Sequence, residues 1–154
     1  MKVLMVCLGN ICRSPLAHGI LDDKIKQRNL NWFVDSCGTG SWHTGELPDK
    51  RSIEIAAKNG IDITYQRARQ FRSSDIDEFD LIFAMDTNNY NDIRKYCNNE
   101  EERAKVKLIL NEVYPNENRS VPDPYYDGVD GFSDVFKMLE EACDKIIKKY
   151  RKSE

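Results

Sequence analysis

Residues 2–8, Lys2-Val3-Leu4-Met5-Val6-Cys7-Leu8, form an almost unbroken apolar run that stops at Gly9-Asn10. A strand with one wet face alternates polar and apolar residues. One without alternation is expected to be buried on both faces, as in the middle of a parallel sheet covered by helices. Beyond the break, Pro15 suits the first turn of a helix, and Leu16, Ala17, Ile20, Leu21 and Ile25 recur on one helical face as far as about Arg28. Strand, short loop and helix in that order predict an α/β fold.

The same grammar repeats along the chain. Residues 32–36 read as a second strand leaving through a turn at Cys37-Gly38-Thr39-Gly40. A helix opening at Pro48 carries Ile53, Ala56 and Ala57 and stops at Asn59-Gly60. Strands are predicted at 81–85 and 106–110, with a helix over 88–96, a polar stretch over 98–102 and a loop over 114–131. The last helix is predicted to start at Ser133 as N-cap, with Val135, Leu139, Ala142 and Ile146 on one stripe. Its basic end, Lys145 to Lys152, complements the helix dipole. The expectation is one domain over 1–154, in three layers, with a four-stranded parallel sheet flanked by helices on both faces. Ligands of such sheets sit beyond the strand C-termini, here Cys7, Ser36 and Asp86.

Composition narrows what that site can bind. A net charge of −3 supplies no global field for nucleic acid or anionic membrane, so any anion must be captured locally. No apolar run approaches the roughly 18 residues of a membrane span. Lys2 with the run after it imitates a signal peptide, but Gly9-Asn10 and Arg13 interrupt it too early. Five scattered cysteines, an odd number, suit reduced thiols and a cytoplasmic setting.

The segment Cys7-Leu8-Gly9-Asn10-Ile11-Cys12-Arg13-Ser14 then reads as an anion cradle. Gly9 and Asn10 tolerate positive φ, so the loop can curl its backbone N–H groups inward, and the helix start adds free donors and partial positive charge. Arg13 offers a planar fork for two phosphate oxygens, and the same positive surroundings favour a Cys7 thiolate. Ser14 is placed to donate a hydrogen bond to that sulfur. A Cys-five-Arg spacing recurs at Cys97 and Arg103, but the residues between are Asn98-Asn99-Glu100-Glu101-Glu102, which would repel phosphate. Context selects Cys7.

Val6-Cys7-Leu8-Gly9-Asn10-Ile11-Cys12-Arg13-Ser14-Pro15 resembles the signature of the low-molecular-weight protein tyrosine phosphatases, bacterial type. Asp35-Ser36, Gly38-Thr39-Gly40-Ser41-Trp42-His43, Ala68-Arg69-Gln70, Met85-Asp86 and Asp123-Pro124-Tyr125-Tyr126 resemble further segments of that family, in its order. The resemblance implies a flavodoxin-like fold and hydrolysis of phosphotyrosine in protein substrates, by a monomer or weak homodimer, with no metal and no cofactor. It implies Cys7 as nucleophile, Arg13 as phosphate clamp and Asp123 as general acid and then general base. Leu8, Gly9, Asn10, Ile11, Cys12 and Ser14 become the phosphate-binding loop, with Ser36, Asn10 and Ser14 holding its shape. Cys12 becomes the partner of Cys7 in a protective, redox-regulated disulfide.

Trp42, Tyr125 and Tyr126 are expected to line a narrow aromatic slot, flanked by His43, that lets phenyl phosphates reach the cradle. Ile11 points the same way, because the related protein-arginine phosphatases resemble a Thr at this position. Many relatives carry a His shortly before Ala-Arg-Gln, where this chain has Tyr65-Gln66-Arg67, so either Gln66 replaces that imidazole or the network is rearranged. His18 lacks an evident ligand-like partner. Three rival readings are weaker. A zinc module would use Cys7, Cys12, Cys37 and His43, but Arg13 opposes a cation. An arsenate reductase needs a further cysteine relay, and Cys97 stands alone. A non-catalytic phosphotyrosine reader would lack Cys7, Arg13 or Asp123.

Overall fold

β1 (Lys2–Cys7) lies between β2 (Phe33–Gly38) and β3 (Leu81–Ala84), and β4 (Val106–Leu108) extends the sheet beyond β3, every pair parallel. This is the order β2-β1-β3-β4 in a computed structural model that describes residues 1–151. Lys152 lies outside the described residues. The helices are α1 (Arg13–Gln27), α2 (Lys50–Lys58), α3 (Ser74–Glu78), α4 (Thr87–Arg94), α5 (Glu100–Arg103) and α6 (Gly128–Tyr150), with 3-10 turns at Ile109–Glu112 and Pro124–Tyr126.

The unbroken apolar run of β1 is explained by its two neighbours. Val3, Met5 and Cys7 face one core with Leu16 and Leu21 of α1 and Leu139 and Ile146 of α6. Leu4 and Val6 face a second core with Ile76 and Phe79 around α3 and Ile93 of α4. Both sides of the strand are therefore dry, as predicted. The chain runs from β1 to one side of the sheet and then crosses to β3 on the other, so the C-terminal end of β1 opens at a switch point. None of the described helices is long and apolar enough to cross a membrane.

Most boundaries shift by one or two residues, β2 running on to Gly38 and α2 opening at Lys50 rather than Pro48, and the larger departures are these. β4 stops at Leu108, and residues 109–110 turn into a 3-10 helix rather than continuing the strand. α3 and α5 were not foreseen; at five and four residues they are too short to show a helical period. α6 begins at Gly128, five residues before Ser133. Two glycines disguise that start. Gly128 has φ +73°, and a Cβ on Gly131 would come within 2.7 Å of the Asp127 Cβ, so the first turn packs too closely for a side chain.

Candidate active site

The loop between β1 and α1 is shaped by bonds to its outer edge. Thr39 N–H donates to the Cys7 carbonyl, Gly40 N–H to that of Leu8, and Asp49 N–H to that of Ile11, at 2.9, 2.9 and 2.7 Å. The Ser52 hydroxyl donates to the Cys12 carbonyl at 3.3 Å. A peptide plane that turns its carbonyl outward turns the next N–H inward. The loop amides thus converge above Cys7 at the N-terminus of α1, the arrangement that binds phosphate.

Asn10 holds the curl from inside. It is a buried non-glycine residue at φ 57°, and its side chain is used three times. Its amide nitrogen donates to Ser14 Oγ at 2.8 Å and Ser36 Oγ at 3.1 Å, while its oxygen accepts from the Arg69 N–H at 3.1 Å. Cys7 Sγ lies 3.0 Å from Ser14 Oγ and accepts from the Asn10 N–H at 3.3 Å. Two polar groups therefore lie within hydrogen-bond reach of the sulfur.

Arg13 is buried, 3% exposed. Its Nη1 donates to Asp86 Oδ2 at 2.7 Å and to the Val121 carbonyl at 3.0 Å, which fixes the plane of the fork. Burial opposes its charge, but Cys7, Asp86 and Asp123 outweigh that and strengthen the guanidinium's hold on its proton. Asp86 serves twice, since its other oxygen caps α4 by accepting from the Asn89 N–H. Val121 N–H donates to the Met85 carbonyl, tying the following segment to the end of β3. There Asp123 accepts from the Tyr125 N–H at 3.1 Å and faces Arg13 Nη2 at 3.8 Å, its side chain 45% exposed.

These residues form the floor and rim of a cleft of about 270 Å³, walled by Trp42, His43, Asp123, Tyr125 and Tyr126. Trp42 and Tyr126 are largely exposed, and Tyr126 meets Tyr125 edge-on at 4.9 Å. A larger groove, about 650 Å³, lies along β4 and is lined by Asn111, Asn116, Asn118 and Lys149 among others, with no cysteine. The smaller cleft holds the nucleophile, the buried cation and the carboxylate together. Among the described residues no three His, Cys, Asp or Glu side chains converge as metal ligands.

Burial, reinforced by Asp49, Cys7 and Asp123, drives the Cys12 thiol strongly toward its protonated form. At the second Cys-five-Arg match, Arg103 is ion-paired with Glu100 inside α5. Several supporting residues were not found from sequence. Asp86 and Arg69 stand out in the sequence only as members of family-like segments, with no sign of the bonds they make, and Val121 and Arg51 carry no local signal. Gln66 does not complete the Asn10 network, since its amide nitrogen donates instead to the Pro15 carbonyl. His18, which has no ligand-like partner in the sequence, lies with its Nδ1 3.0 Å from Ser36 Oγ.

The family model described as low molecular weight phosphotyrosine protein phosphatase matches residues 2–154. The protein of that name from Schizosaccharomyces pombe is 42% identical over 150 residues, 96% of this chain and 95% of its own. Among solved structures, a protein tyrosine phosphatase of Entamoeba histolytica superposes with TM-score 0.92 at 37% identity, over 99% of this chain and 98% of that one. YfkJ of Bacillus subtilis superposes with TM-score 0.92 at 35% identity, over 100% and 96%.

Proposed function

The chain belongs to the low molecular weight phosphotyrosine protein phosphatase family, and from that premise we propose that it hydrolyses phosphotyrosine in protein substrates through a phosphocysteine on Cys7. The observation that carries the assignment is the meeting of Cys7 Sγ, the inward loop amides, the buried Arg13 and Asp123 at one cleft.

The loop amides and Arg13 bind the phosphoryl oxygens, with Asp86 and Val121 holding the guanidinium plane. The Cys7 thiolate attacks phosphorus as Asp123 gives its proton to the departing phenol oxygen. Asp123, now a carboxylate, takes a proton from water, which attacks phosphorus and releases phosphate. Ser14 Oγ, 3.0 Å from the sulfur, donates to the leaving thiolate. Trp42, Tyr125 and Tyr126 line the rim, and an aromatic rim suits a phenyl phosphate. Cys12, protonated and buried in the same loop, is the thiol proposed to trap an oxidised Cys7. We take residues 1–154 as one catalytic domain.

The test is phosphate release from phosphotyrosine, phosphoserine and phosphoarginine peptides by the reduced protein. Rapid release from phosphotyrosine alone, lost in Cys7→Ser, is expected. A preference for phosphoarginine would overturn the reading of Ile11 and the rim. Asp123→Asn should cost about 10²-fold or more in kcat on phosphotyrosine and much less on esters with activated leaving groups. Equal losses on both would remove the acid role.

A further inference from the structure

We propose that His18 is a positioning residue for the reaction, the terminal acceptor of a directed hydrogen-bond chain that runs through Ser36, Asn10 and Ser14 to the Cys7 sulfur. The inference rests on Cys7 being the nucleophile, as proposed above.

The direction of the chain follows from counting hydrogens. Asn10 has two amide hydrogens, and they go to Ser14 Oγ and Ser36 Oγ. Its oxygen is occupied by the Arg69 N–H. Each serine therefore receives a bond at its oxygen and has its own hydrogen left to place. For Ser14 the nearest acceptor is Cys7 Sγ at 3.0 Å, with the Cys37 carbonyl farther off at 3.4 Å. For Ser36 it is His18 Nδ1 at 3.0 Å. That ring must then be neutral, with its hydrogen on Nε2.

The surroundings favour that state. His18 is 7% exposed, and burial is the main reason its ring resists a proton. Asp35 and Asp22 pull the other way and Lys26 assists burial. From the neighbouring loop the Tyr65 ring meets it edge-on at 5.7 Å. Gln66 and Arg67 line the same side, and Gln66 uses its amide on Pro15. An imidazole that gained a proton at Nδ1 would donate to Ser36 and leave the serine hydrogen without its acceptor. Ser36 Oγ would then accept from both His18 and Asn10 with its own hydrogen unplaced, and the strain of that arrangement falls on Asn10 and, through it, on the aim of Ser14 at the sulfur. The distance from His18 to the reacting atoms makes this positioning, carried by three intervening side chains.

The test compares three variants at one site. His18→Asn keeps an acceptor close to Nδ1, His18→Gln moves it to the Nε2 position, and His18→Leu removes it while filling space. His18→Asn is expected to keep kcat within about threefold, whereas His18→Gln and His18→Leu lower kcat about tenfold with KM little changed. The same two variants should move the pH midpoint of Cys7 alkylation by iodoacetamide upward. His18→Leu combined with Ser36→Ala should cost no more than either alone. If His18→Leu does not fold, the Asn and Gln pair decides the question. Equal kcat and equal alkylation midpoints in Asn and Gln, or additive losses with Ser36→Ala, would overturn the proposal. Activity surviving in Cys7→Ser would instead overturn the nucleophile assignment on which it rests.

Discussion

Gly38 shows how a residue with no functional group can decide the site. It is the last residue of β2, and a Cβ there would stand 2.6 Å from the Leu8 carbonyl oxygen and 3.1 Å from the Asn10 nitrogen. Those are backbone atoms of the phosphate loop and cannot swing aside. Gly38→Ala should push the loop outward and lower kcat/KM by about 10²-fold or more, since a displacement near 1 Å has that effect. Thermal unfolding measured alongside should show the smaller change. Retention of full kcat/KM would mean that the loop tolerates displacement. From sequence Gly38 read as an ordinary turn glycine, because only the fold brings the loop against it. The contiguous residues 7–14 were legible, since one segment carries nucleophile, cradle and clamp. Asp123, Asp86 and Arg69 were legible only as members of segments that resemble the family, without their bonding roles, and His18 not at all, because periodicity does not say which side-chain atoms meet.

Between elements, the segment carrying Asp123 is tied down by α2. Arg51 Nη1 donates to the Tyr125 carbonyl at 2.8 Å, and its guanidinium stacks over the Tyr125 and Phe132 rings at 5.2 and 4.5 Å. Asp49, the N-cap of α2, holds the same guanidinium at 3.0 Å. The segment that carries the acid is thus held from α2, two residues past Asp123, by a stack and a hydrogen bond. The Arg51–Asp49 pair is partly buried, but Met keeps an apolar stem against Phe132, so Arg51→Met should lower the unfolding midpoint by only a few degrees. It should lower kcat about five- to tenfold on phosphotyrosine, with less effect on activated esters that need no acid. Uniform loss across leaving groups would place the role of Arg51 elsewhere. The strands and long helices were legible because each buries a face of definite period. α3, α5 and the first turn of α6 were not. Two of these are too short for a period, and the third begins in glycines, Gly128 at positive φ and Gly131 packed against Asp127.

For the whole molecule, the relay links stability to pH. In the unfolded chain His18 takes a proton as pH falls through about 6.5, and in the folded protein burial delays this to about 4. Between those values the unfolded state binds the extra proton, so the folded state loses stability as pH falls. A gap of this size corresponds to about 3 kcal/mol, reached gradually below pH 6.5 and complete near pH 4. Carboxylates held low by hydrogen bonds, such as Asp49 and Asp62, add losses at lower pH. Those losses are shared with His18→Asn, which has no imidazole to charge. Urea unfolding of both proteins near pH 7.5, 5.5 and 4.5 isolates the ring's contribution. Wild type should lose up to about 3 kcal/mol more than His18→Asn across that range. A pH-independent difference would mean that His18 is not held neutral by the fold. If the difference appears, the group that weakens the fold in acid is the one that ends the hydrogen-bond chain to Cys7. Activity at acid pH should then fall in wild type before it falls in His18→Asn, at pH values where both proteins are still folded.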